Sequence, residues 1–275
     1  MLREAVRRRL VLAIAVLTLA AVALTGWGFA RIPELGGREP LPAQQVTLIA
    51  SQLTILVAFM FSFVLALSAV FVASPAVSGE TESGIALAVL ARPISRTEYV
   101  LGKWIGLSAL LFVYAAGAIA LELVVIRLAV GYTPPAPLVA LGFLYGETLV
   151  LLTLGLLLST RVSGMVGGVV GLVLFGLAWM GGIVGGIGAA FDNATITHVG
   201  TATKLLVPTD GLWRGAVYAL EPAAVLAGAS GLPAGAAANP FFAPAPPPWT
   251  FMAWAAAWIV LVLAAAVWSF RSREI

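Results

Sequence analysis

The sequence predicts an all-α integral membrane protein with six transmembrane helices. Its 275 residues are 61% hydrophobic and only 10% charged, whereas soluble domains carry about 25% charged residues. The apolar residues fall into long, nearly uncharged runs, which are about the length needed to cross a ~30 Å hydrocarbon core. The chain has no cysteine, which excludes disulfides and thiolate metal sites. Its net charge of +3 indicates membrane topology rather than nucleic-acid binding.

The first apolar run, 10–30, follows the basic segment MLREAVRRR. We interpret it as a transmembrane helix behind a short basic amphipathic segment at the membrane surface. A secretory signal peptide is the alternative, but the run exceeds the usual apolar length and no A-x-A cleavage site closes it. Residues 31–45 contain Gly and Pro turn signals, which predict a short outer loop.

Proline-containing segments separate several of the other runs, and the tight turn 160–163 separates the fourth from the fifth. The predicted spans are 48–73, 104–130, 138–159, 164–190 and 251–270. An extracytoplasmic segment, 191–249, precedes the last span. Within it, residues 210–220 predict an amphipathic helix with Trp213 and Tyr218 at the membrane interface, where aromatic rings prefer to lie.

Six spans place both termini on the same side of the bilayer. If that side is the cytosol, the cytosolic segments hold ten Lys or Arg residues and the opposite side holds five at most. The positive-inside rule therefore predicts cytosolic N and C termini and a cytosolic loop at 74–103. The ten are Arg3, Arg7, Arg8, Arg9, Arg92, Arg96, Lys103, Arg161, Arg271 and Arg273.

The cytosolic loop 74–103 contains signals for a short helix followed by a corner. Gly79 and Gly84 are expected to end the second helix. Residues 85–91 are too short to cross a bilayer but apolar enough to form a two-turn helix. Pro93 stops that helix, because the residue before a proline is pushed out of the helical region.

The same loop predicts a defined start for the third transmembrane helix. Ser95 and Glu98 have the S-x-x-E spacing of a capping box, in which the two residues satisfy each other's backbone N–H groups. Lys103 follows where that helix enters the membrane, and its long side chain can reach the headgroups.

Thirteen loop residues form the pattern E-x-E-S-G…L-x-R-P-I-S-R-x-E-x-x-x-G-K: Glu80, Glu82, Ser83, Gly84, Leu90, Arg92, Pro93, Ile94, Ser95, Arg96, Glu98, Gly102 and Lys103. This pattern resembles the membrane subunits of ABC-2 type ABC transporters, and the six-span layout extends the resemblance to the whole chain. The segment LLVPTDGLWR at 205–214 is similar to the branch that includes the permease of the nitrous oxide reductase maturation transporter. The chain departs from the family at Ile85 and Ala86, where Thr-Leu is usual, and at Leu87, where Glu is common.

The resemblance implies that these loop residues dock a separate ATP-hydrolysing subunit. The chain has no G-x-x-x-x-G-K-[ST] motif, since Thr97 stands where Gly102-Lys103 would need an upstream glycine. ATP and Mg²⁺ are therefore expected on the partner, with no cofactor or metal on this chain. The resemblance also implies a second permease copy, export, and the plasma (inner) membrane of a prokaryote. The alternative is a loop that only connects two helices.

The fifth span is rich in glycines four residues apart, which align on one helix face and allow another helix to approach closely. They predict packing within the chain or, as the family favours, a dimer interface. The glycines are Gly164, Gly167, Gly168, Gly171, Gly181, Gly182, Gly185 and Gly186.

Three charged residues, Glu122, Arg127 and Glu147, lie within the third and fourth spans. Lone charges in a bilayer are costly and usually face the protein interior in pairs. These three predict a buried ion-pair cluster, with a substrate path or a proton route as the alternative.

Two other classes of function are less well supported by the sequence. An intramembrane enzyme would need a catalytic motif, but H-E-x-x-H, G-x-S-x-G and an intramembrane Asp pair are absent from the sequence, and the single histidine, His198, falls in the outer segment. A secondary transporter driven by an ion gradient would be expected to contain inverted repeats, and the two halves show no convincing similarity.

Overall fold

The computed structural model describes residues 2–228 and 238–273, with side chains from residue 16 onward. Every regular element in these ranges is helical, and six helices are long and apolar enough to cross a membrane. The predicted class and the number of spans are therefore confirmed. The six helices are α1 (Leu2–Ala30), α2 (Ala43–Ala73), α5 (Arg96–Val130), α6 (Pro137–Ser159), α7 (Gly164–Ala190) and α11 (Trp249–Arg271).

Shorter helices occupy the connections between the long ones. They are a 3₁₀ turn (Ile32–Gly36), α3 (Pro75–Glu82), α4 (Ile85–Leu90), α8 (Ala194–Leu206), α9 (Thr209–Leu220) and α10 (Ala223–Ala227). We call the end of the bundle that carries α3, α4, the α6–α7 turn and the C-terminal end of α11 the loop end. The far end carries the 3₁₀ turn and the α5–α6 connection.

Helix α6 is the centre of the bundle. It packs against α2, α5, α7, α9 and α11, and Val150, Leu151 and Leu152 are completely buried on successive faces. A helix that is apolar all round is typical of such a position. By contrast, large apolar side chains such as Leu128 and Met165 are exposed on the outer helices, as expected where a bundle contacts lipid.

The segment after α7 folds back on the bundle as two helices, of which α8 is largely exposed and α9 is buried. Helix α8 runs back along α7, so that Gly181 faces Thr203 and Gly185 faces Gly200. Helix α9 then returns towards the far end beside α6, where Tyr132 donates a hydrogen bond to the carbonyl of Leu220. We call α8 and α9 the re-entrant hairpin.

The prediction of an interfacial helix at 210–220 is wrong in its location. The predicted helix is present as α9, but Trp213 is only 1% exposed and its indole donates a hydrogen bond of 2.7 Å to the carbonyl of Pro240. The amphipathic pattern arose because the polar face of α9 pairs with neighbouring side chains inside the bundle.

The glycine face of α7 is covered by the chain's own helices. Four glycines lie against residues 70–75, where α2 meets α3, and two lie against α8. The structure thus assigns them to packing within the chain, and a second copy would have to pack on other residues. The four are Gly164, Gly167, Gly168 and Gly171, and the two are Gly181 and Gly185.

Candidate functional site at the loop end

The start of α5 is fixed by a capping box. The hydroxyl of Ser95 accepts a hydrogen bond from the backbone N–H of Glu98 at 3.1 Å. The carboxylate of Glu98 accepts one from the backbone N–H of Ser95 at 2.7 Å. Two N–H groups that the helix would leave without partners are thereby satisfied, and the predicted capping box is confirmed.

The short helix α4 forms as the sequence predicts. Of the two glycines expected to end the second helix, Gly79 and Gly84, only Gly84 lies at a helix boundary. Gly84 has φ +74°, a left-handed conformation that glycine adopts without strain, and it separates α3 from α4. Gly79 lies inside α3, because the break after α2 falls at Ser74 and Pro75 instead.

An open groove lies between α4 and the start of α5. It is lined by Leu87, Leu90, Ala91, Ile94, Ser95 and Arg96. The apolar side of α4 is directed outward here, with Ile85 47% and Leu87 54% exposed. Four of the six lining residues are aliphatic, but polar atoms form most of the surface that faces the groove.

Glu80 connects α3 to α5 through two partners. Its carboxylate accepts a hydrogen bond of 2.6 Å from the hydroxyl of Tyr99 and forms an ion pair with Lys103. Lys103 therefore has a partner within the chain that its position in the sequence did not indicate. The pair fixes the direction in which α3 leaves the membrane helices.

Arg96 joins the groove to the C-terminal end of α11. Its guanidinium donates to the carbonyls of Phe270, Arg271 and Arg273 at 3.3, 3.0 and 2.6 Å. The ring of Phe270 also stacks on Tyr99, with ring centroids 5.4 Å apart. The family resemblance implies that Arg96 contacts the ATPase. In the structure its guanidinium instead donates to carbonyls of the chain itself.

The α6–α7 turn is tied to the same end of α11. Arg161 donates to the hydroxyls of Ser269 and Ser272, both at 2.7 Å, and Thr160 shares a hydrogen bond with Ser269. One residue earlier, the hydroxyl of Ser159 accepts from two backbone N–H groups of α3. The hydrogen bonds that join α3, the α6–α7 turn and the end of α11 therefore support the groove. We call these joined helix ends the frame.

The predicted docking residues divide into two groups. One group is exposed and points away from the bundle: Glu82, Ser83, Gly84, Arg92 and Pro93. The other group makes contacts within the chain: Glu80, Ser95, Arg96, Glu98 and Lys103. Leu90 is half-buried in the groove.

The predicted intramembrane ion-pair cluster does not form. Among the described side chains, no ion pair joins Glu122, Arg127 and Glu147. Glu147 is buried and accepts a hydrogen bond of 2.7 Å from Ser62, and Glu122 faces Thr25 on α1. Arg127 is exposed. The helical rotation of α5 separates the charges that sequence spacing placed at similar depth.

The principal buried ionic group is one that the sequence analysis did not select. Asp210 is 1% exposed and pairs with Arg214 at 3.2 Å and Lys204 at 3.4 Å, beside the backbone of Gly182. The spacing of Asp210 and Arg214, four residues apart on a helix, is a signal that could have indicated the pair.

A second buried carboxylate, Glu221, follows the last residue of α9. It is 1% exposed, and neither of its oxygens has a hydrogen-bond partner among the residues that the structure describes. Burial raises the pKa of Glu221 to about 7. Burial and the nearby Glu221 carboxylate raise the pKa of the Tyr132 phenol to about 12.

No group of three or more His, Cys, Asp or Glu side chains in the described ranges could hold a metal ion. The arrangement at the loop end offers hydrophobic surface, a few exposed charges and a rigid frame. These features suit contact with another protein.

The chain matches the family model described as "ABC-2 family transporter protein" over residues 2–275. Because the match covers nearly the whole chain, the protein belongs to this family of transporter membrane subunits. It is therefore a multi-pass membrane permease and not itself an enzyme. No match to the chain was found among curated proteins.

Proposed function

We propose that this permease exports its substrate at the expense of ATP hydrolysed by a separate subunit, which docks in the groove between α4 and α5. ATP and Mg²⁺ lie on that partner, and a second copy of the permease completes the transporter. The observation that carries the proposal is the open groove at the loop end together with the exposed apolar side chains of Ile85 and Leu87 on α4. A soluble partner has to cover such a surface if it is not to remain exposed to water.

The frame beneath the groove supports this proposal. A docking element transmits force only if it is held rigidly, and a pre-ordered surface also binds with less loss of conformational entropy. The Glu80–Lys103 pair and the capping box at Ser95 fix both sides of α4. A loop that merely joined two helices would need neither.

Substitution of Leu87 by Lys tests the docking surface. A charge on an apolar anchor that becomes buried on docking should reduce the amount of ATPase that co-purifies by at least about tenfold, or ~1.4 kcal/mol. The measurement is co-purification of a subunit with a Walker A motif, together with its ATP hydrolysis, from mild detergent. Leu35→Lys is the matched control, since Leu35 is 66% exposed in the 3₁₀ turn at the far end.

Equal loss of ATPase with Leu87→Lys and Leu35→Lys, or no loss with either, would refute docking at the groove. The alternative of a gradient-driven secondary transporter is tested in the same preparation. Transport that continues after the Walker lysine of the partner is replaced would favour that alternative.

A further inference from the structure

We propose that α11 is a rigid connector between the docking groove and the re-entrant hairpin, so that a change at one changes the stability of the other. This inference rests on the proposed function in one respect, namely that the groove is the ATPase-docking surface. It concerns how the state of that surface reaches the interior of the bundle.

The first step is the contact at the loop end. Arg96 lines the groove and donates to the carbonyls of Phe270 and Arg271 in the last turn of α11 and of Arg273 just beyond it. Carbonyls at the end of a helix lack the intrahelical partners of those in its interior. Phe270, between Arg96 and Tyr99, is fully buried. A displacement of the start of α5 therefore has to move the end of α11 or break these contacts.

The second step is the contact at the other half of α11. The indole of Trp258 donates to the carbonyl of Leu206 at 2.8 Å, and that of Trp254 donates to the carbonyl of Leu205 at 3.1 Å. These are the last two residues of α8. Trp258 also packs with Val207 and Leu212 on either side of the hairpin tip. Helix α11 thus supplies the hydrogen bonds that the end of α8 cannot make for itself.

The third step is the stiffness of α11. The helix contains neither glycine nor proline, the usual causes of a kink. Trp258 and Phe270 are twelve residues apart, about 18 Å along the helix axis. A tilt or shift at the Phe270 end is therefore carried to the Trp258 end with no hinge between them. Helix α7, which also runs between the two ends, is glycine-rich and less suited to this.

Hydrogen exchange on the purified full-length chain in lipid nanodiscs tests the connection without the ATPase. Arg96→Met should speed amide exchange at the hairpin tip, residues 203–212, as well as at the end of α11. Trp258→Phe keeps an aromatic side chain but removes the N–H donor and one ring of the indole, and it should speed exchange in the groove, residues 84–96. Loss of a hydrogen bond corresponds to about threefold to tenfold faster exchange in both cases, and coupling between sites is reciprocal.

Arg31→Met is the control, since it removes the exposed Arg31–Glu34 pair at the far end and should alter neither segment. Effects confined to the end that carries each substitution would overturn the connector. Trp258→Phe decides the question on its own if Arg96→Met fails to fold. Coupled exchange in a chain that binds no ATPase would uphold the connector and refute the proposed docking. Docking of an ATPase without coupled exchange would uphold the proposed docking and overturn the connector.

Discussion

At the scale of single residues, Glu221 gives the sharpest consequence for pH. Its pKa of about 7 in the folded chain exceeds the ordinary value of 4.5, so the folded state holds a proton that the unfolded state releases between these values. The contribution to stability is complete below about pH 4.5 and is lost as the pH rises through about 7.

We therefore expect the thermal unfolding midpoint of the detergent-solubilised protein to decrease as the pH is raised from about 5 to about 8. Glu221→Gln should make the midpoint less dependent on pH. Scanning calorimetry or tryptophan fluorescence measures it. Glu39→Gln, at an exposed position, is the control and should retain the full slope. An unchanged slope in Glu221→Gln would mean that this carboxylate does not titrate as its burial indicates.

Residue-scale features were predictable where the partners lie close in sequence. Ser95 and Glu98 are three residues apart, and their capping box follows from helix geometry alone. The partners of Lys103 and Arg96 lie 23 and up to 177 residues away. A long cationic side chain has many possible partners, and only the packed bundle determines which carbonyls or carboxylates come within reach.

At the scale of elements, the crossing of α7 and α8 depends on contact between two glycines. A methyl group on Gly200 would overlap the Cα of Gly185, which belongs to the backbone and cannot rotate away. Overpacking of this kind costs about 1–3 kcal/mol.

Gly200→Ala should accordingly lower the thermal unfolding midpoint and the yield of folded protein in size-exclusion chromatography. Gly176→Ala, in the middle of α7 with nothing within 4 Å of the added group, is the matched control. It should leave the midpoint unchanged or raise it slightly, since alanine is favoured over glycine within helices by up to ~1 kcal/mol. Similar losses in both variants would show that the helix itself, and not the crossing, is sensitive.

The sequence did not predict where an element lies when the same residue pattern fits more than one environment. The pattern of α9 describes an amphipathic helix in water or at an interface equally well as one whose polar face pairs with neighbours inside a protein. Inside the bundle, Asp210 pairs with Lys204 and Arg214. These ion pairs allow the polar face of α9 to be buried. Likewise, the glycine spacing of α7 predicts a close helix neighbour but does not identify it.

At the scale of the whole molecule, composition and hydropathy determine most of the architecture. Six long apolar runs can only cross a bilayer as helices, because backbone groups in lipid must be satisfied within the segment. The burial of α9 was not predictable in this way, since its moderate polarity is compatible with a solvent-exposed loop. The site at the loop end followed from one 24-residue pattern, Glu80 to Lys103, together with a family resemblance.

The account as a whole depends on an ATPase being bound at the loop end. Because the chain contains no cysteine, a single cysteine replacing Ala88, which is exposed on α4, provides a unique site for crosslinking in cells. The same substitution at Arg38, exposed at the far end, provides the control. We expect a subunit with a Walker A motif to be captured from position 88 and not from position 38. Capture from both positions alike, or none from position 88 in cells that make the chain at a normal level, would contradict the account.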